Sequence, residues 1–337
     1  MYYKRPAVSS TAERRIGLLF ENKMISADEA DYICSGGIRL HYLKTESGKP
    51  PLVLIHGQSM CRLDYERVLP ELSQSFVVYA LDCPGHGQSS RDAQSYTCRA
   101  IGDAICEFIR SLTGECFLSG HSSGALIAAY IAGHEKEFVK ALLLEDPPFF
   151  SVQSPEITNT LIWKDSLEIS HGFLNQTEEK DYIPYYIKHS YLYNLLGSSY
   201  ADKLYKEAKA FIAENPGKPV KLKNLSKNAM HGLDYIDRFD FLFAEAFYSG
   251  TWFDGVDQEQ MLKAIECPVI YLKAATRYGR DGVMWAANSD ADAERAEKLL
   301  KNCRRKDIRC GHDIHYEKPA AFCSAAREMM NLTHNTK

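Results

Sequence analysis

Short, unbroken apolar runs recur through the first half of the chain and return near its end. Runs of this kind are typical of strands that are buried on both faces of a sheet. The stretch GIRLHYLKTE at 37–46 instead alternates apolar and polar residues, which predicts a strand with one wetter face. The buried-strand runs are PLVLIHG at 51–57, SFVVYALD at 75–82, ECFLSG at 115–120, VKALLLED at 139–146 and CPVIYLKA at 267–274.

Segments with apolar residues at helical spacing lie between these runs. Ile101, Ile105 and Phe108 follow one another at intervals of three or four residues, as on one face of a helix. Two more helices are predicted near the end of the chain, at 294–302 and 319–332. Short apolar strands that alternate with helices predict an α/β fold, in which a mostly parallel sheet carries helices on both faces.

The alternation is interrupted once, in the middle of the chain. Residues 151–259 contain no buried-strand run, but they contain helical segments and many aromatic residues. The strand pattern then resumes at 267–274. We interpret the interruption as a helical cap, or lid, at 151–259, inserted into a core formed by residues 32–150 and 260–337.

The first 31 residues precede this pattern and contain one amphipathic stretch, SSTAERRIGLLF at 9–20. Ser10 stands three residues before Glu13, and this spacing matches a capping box at the start of a helix. The sequence therefore predicts a helical extension over residues 1–31. It would pack on the outside of the core or against a second subunit, so a homodimer is left open.

Composition narrows the class of protein. The chain has 337 residues, of which 45% are hydrophobic and 25% are charged, values that are ordinary for a globular protein with a sizeable core. Its formal net charge of −4 gives no basic excess for nucleic acid or anionic lipid. No apolar run is long enough for a signal peptide or a membrane helix. We expect a cytoplasmic protein that acts on a small molecule, without nucleic-acid or membrane partners.

The ten cysteines occur singly along the chain and form no CxxC pair. This spacing argues against a zinc site or a disulfide scaffold. Reduced thiols are the simplest interpretation for a protein without an export signal. No metal ion and no organic cofactor are therefore expected.

The motif GHSSG at Gly120–Gly124 follows a predicted buried strand and precedes a predicted helix. This strand–turn–helix context is the one that the G-x-S-x-G nucleophile motif requires, with Ser122 as the nucleophile. The plain alternative is a Gly/Ser turn in which Ser122 or Ser123 caps the helix. The strand at 51–57 is followed by Gln58. Its backbone N–H and that of Ser123 are the candidates for an oxyanion hole.

A serine nucleophile needs a base within hydrogen-bond reach, and the chain has eleven histidines. His312 follows the last predicted strand, and loops after strands gather at the carboxyl edge of such a sheet, where Ser122 also lies. Its neighbour His315 is the competing candidate, as a surface residue or part of the pocket wall. We favour His312 because the preceding glycine leaves the imidazole room to reach the serine.

These motifs together resemble those of the α/β-hydrolase superfamily, specifically its members with a serine nucleophile and a helical cap. The stretches LVLIHGQS, ALDCPGHGQSS, LSGHSSGALIAAYIA, ALLLEDPP and CGHDIHYEKPAAF occur in that family's order. The resemblance implies Ser122 as nucleophile, His312 as base, and the amides of Gln58 and Ser123 as the oxyanion hole. A serine at this position argues against the family's dehalogenases and epoxide hydrolases, which use aspartate there.

The triad acid is the point at which this sequence departs from the commonest family pattern. Most members carry it shortly after the strand that matches 267–274, where this chain has only Asp281, a few residues late. A minority take the acid from the end of the preceding strand, which here supplies Asp146. We favour Asp146, with Asp281 as the alternative and Glu145 as a weaker third candidate.

The aromatic residues of 151–259 allow two interpretations, because aromatic residues at helical spacing usually form core. A cap over a sheet edge nevertheless encloses a pocket, and Trp252 and Phe253 are predicted to face the substrate. The sequence thus predicts a serine hydrolase for a small, largely apolar carboxylic ester or lactone. A C–C bond hydrolase or an acyltransferase with the same triad, and a non-catalytic small-molecule receptor of the same fold, remain alternatives.

Overall fold

Nine strands form one sheet in a computed structural model of the chain, which describes residues 14–20, 23–46 and 48–334. The order across the sheet is β1-β2-β3-β5-β4-β6-β7-β8-β9. The first three strands pair antiparallel, as do β3 and β5, and all the remaining pairs are parallel. The strands are β1 Arg14–Phe20, β2 Lys23–Ile33, β3 Arg39–Thr45, β4 Pro51–Ile55, β5 Val77–Leu81, β6 Cys116–His121, β7 Val139–Glu145, β8 Val269–Ala274 and β9 Cys303–Ile308.

Helices cover both faces of this sheet. One face packs on α2, α3 and α10, and the other on α1 and α13. Successive residues of one buried strand divide between the two cores, so that Val53 and Ile55 face one core while Leu52 and Leu54 face the other. The core helices are α1 Leu69–Leu72, α2 Cys98–Phe108, α3 Ser123–His134, α10 Gln258–Ala264, α11 Asp290–Leu299, α12 Ile314–Glu317 and α13 Pro319–His334. The predicted α/β architecture and its buried central strands are confirmed.

The segment between β7 and β8 is helical, and we call its residues 151–259 the cap segment. Its helices enclose an apolar cluster of their own, separate from the two cores of the sheet. The helices are α4 Glu168–Leu174, α5 Tyr182–His189, α6 Tyr191–Leu195, α7 Ser198–Glu214, α8 Lys227–His231 and α9 Phe241–Tyr248. Shorter 3₁₀ and π turns occupy Arg62–Arg67, Ala93–Ser95, Ile109–Thr113, Glu156–Asn159, Trp163–Leu167 and Thr251–Phe253.

The prediction of a helical extension over residues 1–31 is wrong where the structure describes this segment, because that part forms strands. Strand β1 pairs antiparallel with β2 over its whole length, from Arg14 opposite Glu29 to Phe20 opposite Lys23. Strand β2 pairs in turn with β3, so both extend the sheet. The ladder supplies backbone hydrogen bonds that a local sequence pattern cannot reveal. Residues 1–13, which include the expected capping box, lie outside the described residues.

No helix among the described residues has both the length and the apolar character needed to cross a membrane.

Candidate active site

Ser122 lies between β6 and α3, at the point where the chain turns from strand to helix. Its backbone has φ 54° and ψ −123°, a conformation that residues with a side chain rarely adopt. The turn depends on small neighbours. A Cβ on Gly120 would overlap the carbonyl of Gly124, and a Cβ on Gly124 would overlap the carbonyl of Ile55. The local sequence therefore produces the sharp turn that the motif predicted.

His312 follows β9 and lies against Asp146, which follows β7. The Nδ1 atom of His312 is 2.7 Å from Oδ2 of Asp146. The second carboxylate oxygen accepts a hydrogen bond of 2.9 Å from the backbone N–H of Ala274, at the end of β8. His312 and Asp146 are 166 positions apart, and they meet because parallel strands bring their carboxyl ends to one edge of the sheet.

The surroundings of His312 favour its protonated form. Burial alone would lower the pKa of the imidazole, but the hydrogen bond and the negative charge of Asp146 outweigh it and raise the pKa to about 8. The Asp146 side chain is almost completely buried, whereas 37% of the His312 side chain is exposed. With Nδ1 held by the carboxylate, Nε2 is the nitrogen that remains for proton transfer.

Ser122, His312 and Asp146 line one cavity of about 490 Å³, together with Gln58 and Ser123. Ser123 is the first residue of α3, where backbone N–H groups have no partner within the helix. An anion is also stabilised at this end of a helix by the helix dipole. The cap segment contributes the apolar side of the cavity, namely Val152, Leu161, Ile162, Leu167, Leu192 and Phe247.

Asp281, the alternative acid, lies elsewhere. Its carboxylate is exposed and accepts hydrogen bonds of 2.8 and 3.0 Å from the hydroxyl of Tyr191. That hydrogen bond lowers the pKa of Asp281. The third candidate, Glu145, contacts a different imidazole, with its carboxylate 2.9 Å from Nδ1 of His315.

The predicted placement of Trp252 and Phe253 in the substrate pocket is wrong. Both line a neighbouring cavity, while Phe247 and Val152 line both cavities. Trp252 is 1% exposed and its ring stacks on Phe247, with the ring centroids 4.2 Å apart. The apolar surface of the large indole makes it part of the core here. Among the aromatic residues of the cap segment, Phe247 lines the cavity, and sequence reasoning did not single it out.

His315 is neither a surface residue nor part of the pocket wall, contrary to both expectations. It is completely buried, on the short helix α12. Its backbone N–H donates to Oε1 of Glu145 at 2.7 Å, and its ring contacts the same carboxylate. A pair of this kind cannot be recognised in a sequence, since its members are 170 residues apart.

The family model described as "Alpha/beta hydrolase family" matches residues 52–325. This chain belongs to the alpha/beta hydrolase family. The match includes the turn at Ser122, the end of β7 and the loop that carries His312. The fold that the sequence motifs predicted is thereby confirmed.

Curated relatives match a limited part of this alpha/beta hydrolase. A soluble epoxide hydrolase from Corynebacterium sp. (strain C12) is 31% identical over 111 residues, which are 33% of this chain and 38% of that protein. The (E)-2-((N-methylformamido)methylene)succinate hydrolase of Acinetobacter baylyi (strain ATCC 33305 / BD413 / ADP1) is 35% identical over 103 residues, 30% of this chain and 39% of that protein. The chain thus spans well under half the length of these two relatives.

A solved structure extends the likeness to nearly the whole chain. The thermophilic esterase from Thermogutta terrifontis superposes with a TM-score of 0.61, over 96% of this chain and 100% of that one. The two sequences are 18% identical, so the likeness shows a shared fold.

Proposed function

We propose that this protein is a serine hydrolase that cleaves a small, largely apolar carboxylic ester or lactone through an acyl-enzyme intermediate. One observation carries the proposal: Ser122, on its strained turn, shares a cavity with His312, and Asp146 holds the far side of that imidazole. Exposed reactive serines on such turns are the nucleophiles of this fold. The hydrolase names of its relatives agree with the general reaction class.

Cleavage would proceed in two steps, the acylation of Ser122 and the hydrolysis of the acyl-enzyme. Ser122 Oγ adds to the substrate carbonyl while Nε2 of His312 takes its proton, and the same nitrogen returns that proton to the leaving alcohol. Water then adds to the acyl-enzyme and gives a proton to Nε2, and Nε2 returns that proton to Oγ of Ser122 as the acid leaves. Asp146 keeps Nδ1 protonated and stabilises the imidazolium, and the amides of Gln58 and Ser123 bind the oxyanion.

The cavity supports a small and mainly apolar substrate. A volume of about 490 Å³ is at the lower end of the range for small-molecule pockets, and its cap side carries aliphatic and aromatic side chains. The family resemblance connects epoxide opening with an aspartate at the position where this chain has Ser122. A serine there favours an ester or a lactone, with residues 151–259 as the lid over the pocket.

Labelling by a fluorophosphonate tests the nucleophile directly. The wild-type protein should be labelled and Ser122→Ala should not, because the probe needs the hydroxyl of Ser122. Ser123→Ala is the matched control and should still react, since its proposed contribution is a backbone N–H. Short p-nitrophenyl esters and simple lactones should be hydrolysed by the wild type and by Ser123→Ala.

Two results would contradict the proposal. An unlabelled wild-type protein would exclude an activated Ser122. Labelling without turnover of any ester or lactone in the panel would exclude the substrate class, and would favour C–C hydrolysis, transfer to another acceptor or a receptor role.

A further inference from the structure

A second group of polar side chains is buried behind the candidate triad. Asp64, His121 and His315 each offer a ligand atom, and these atoms lie within 4.8 Å of one another. All three side chains are buried, and both oxygens of Asp64, Nδ1 of His121 and Nε2 of His315 form no hydrogen bond of good geometry among the described residues. Buried polar atoms without partners are costly and rare. Several such atoms around one point, on imidazole and carboxylate groups, are typical of a cation site.

The remaining nitrogen of each of these two histidines is held by an oxygen atom. Nε2 of His121 lies 3.3 Å from the carbonyl oxygen of His312 and 3.5 Å from Oδ1 of Asp313. Nδ1 of His315 lies 2.9 Å from the carboxylate of Glu145. Metal-binding histidines show this pattern, in which an outer oxygen accepts the ring N–H and leaves the other nitrogen for the metal.

His231, at the end of α8 in the cap segment, lies beside this group on the side of Asp64. Its Nε2 atom also forms no hydrogen bond of good geometry among the described residues, although it lies 3.1 Å from Oδ1 of Asp64. Nε2 of His315 lies 3.1 Å from the other oxygen, Oδ2. Tetrahedral Zn²⁺ with bonds of about 2.05 Å requires neighbouring ligand atoms about 3.4 Å apart. The two spacings around Asp64 are close to that value.

We propose that Asp64, His121 and His315 bind a structural zinc ion, with His231 of the cap segment as the fourth ligand. Imidazole and carboxylate donors suit Zn²⁺, and a closed four-ligand site is typical of a structural one. The cysteine spacing led us to expect no zinc site, but none of these ligands is a cysteine. The proposal does not depend on the proposed function.

The position of the ion would explain its role. His121 directly precedes Ser122, and Glu145, which orients His315, directly precedes Asp146. The carbonyl of His312 contacts His121. One ion would thus connect the three chain segments that carry the candidate triad, and through His231 it would connect them to the cap segment.

Metal analysis of the full-length protein tests this directly. Protein produced with added zinc should contain one zinc ion per chain by mass spectrometry, lose it to a strong chelator and rebind one Zn²⁺ in calorimetry. Asp64→Asn and His315→Gln should lose most of the bound zinc. His41→Gln is the matched control and should keep it, because His41 is also buried beside a carboxylate, that of Asp31 at 2.8 Å, outside the cluster.

The outcomes are distinct even if a ligand variant does not fold, which circular dichroism would show. Cobalt substitution of the stripped wild-type protein should then give the visible bands of a tetrahedral nitrogen and oxygen site without a thiolate charge-transfer band. No zinc in the wild type and no stoichiometric rebinding would overturn the proposal, leaving a protonated His315 between Glu145 and Asp64. A thiolate band, or equal zinc in all folded variants, would also overturn it.

Discussion

The sheet edge and the cap segment bound the same cavity but hold their side chains in different ways. At the sheet edge, Asp146 is fixed by backbone: its φ is 42°, its own N–H donates to the carbonyl of Leu272, and its carboxylate accepts from Ala274. In the cap segment, side chains rest mainly on one another, as where Tyr248 stacks between Trp163 and His171. We therefore expect chemistry that needs precise geometry to depend on the sheet edge, and substrate selection to depend on the cap segment.

Two aspartates of the cavity show the same difference. Asp146, from the sheet, contacts an imidazole that can accept and release a proton. Asp165, from the cap segment, accepts hydrogen bonds of 2.8 Å from both Tyr186 and Ser190, and burial raises its pKa. Hydroxyl partners make Asp165 part of a closed structural network. Burial and a place in the pocket are thus insufficient to assign a catalytic role.

The largest expected effect comes from removing the carboxylate charge beside His312. Asp146→Asn should lower kcat for a p-nitrophenyl ester about 10⁴-fold, because the amide no longer holds the imidazole tautomer or stabilises the imidazolium. Asp281→Asn should stay within about twofold of the wild type, since that carboxylate contacts Tyr191. Loss of activity in Asp281→Asn alone would reverse the assignment of the acid.

The second-largest effect compares how well the sheet edge and the cap segment tolerate an added methyl group. Gly124→Ala should lower the free energy of unfolding by more than about 3 kcal/mol, because the new methyl group meets sheet backbone at Ile55. Gly172→Ala in the cap segment meets only the hydroxyl end of Tyr185, which can move, and Ala is favoured over Gly in a helix by about 1 kcal/mol, so this change should lower the free energy of unfolding little or not at all. Urea denaturation measures both. Equal losses would mean that the two regions are equally rigid.

The smallest expected effect distinguishes a role of the cap segment in substrate binding from a role in the chemical step. Leu192→Ala should raise KM for esters with longer acyl chains roughly fivefold, because the leucine side chain in the cavity wall contributes about 1 kcal/mol to binding. The kcat for acetate esters should stay nearly unchanged. The control is Leu174→Ala, an exposed leucine of the cap segment outside this cavity, which should behave as the wild type. A fall in kcat without a change in KM would place the cap segment in the chemical step.

Much of the sheet could be predicted because its signals are local. The run from Cys116 to His121 forms a strand, and the small residues after Ser122 form the helix that packs on it. Both follow from patterns within about twenty residues. Strand β1 was missed because its amphipathic stretch was interpreted as a helix, and the pairing with β2 that makes it a strand is not visible in that stretch alone.

The fold class, the turn at Ser122 and a short set of candidates for its partners follow from the amino-acid sequence alone. The folded chain was needed to show which carboxylate lies against His312, which aromatic residue of the cap segment lines the cavity, and that Asp64, His121 and His315 meet. The physical reason is distance along the chain. Strand and helix patterns reflect neighbours a few residues apart, whereas pairs such as His312 with Asp146 form only when parallel strands bring their distant ends to one edge.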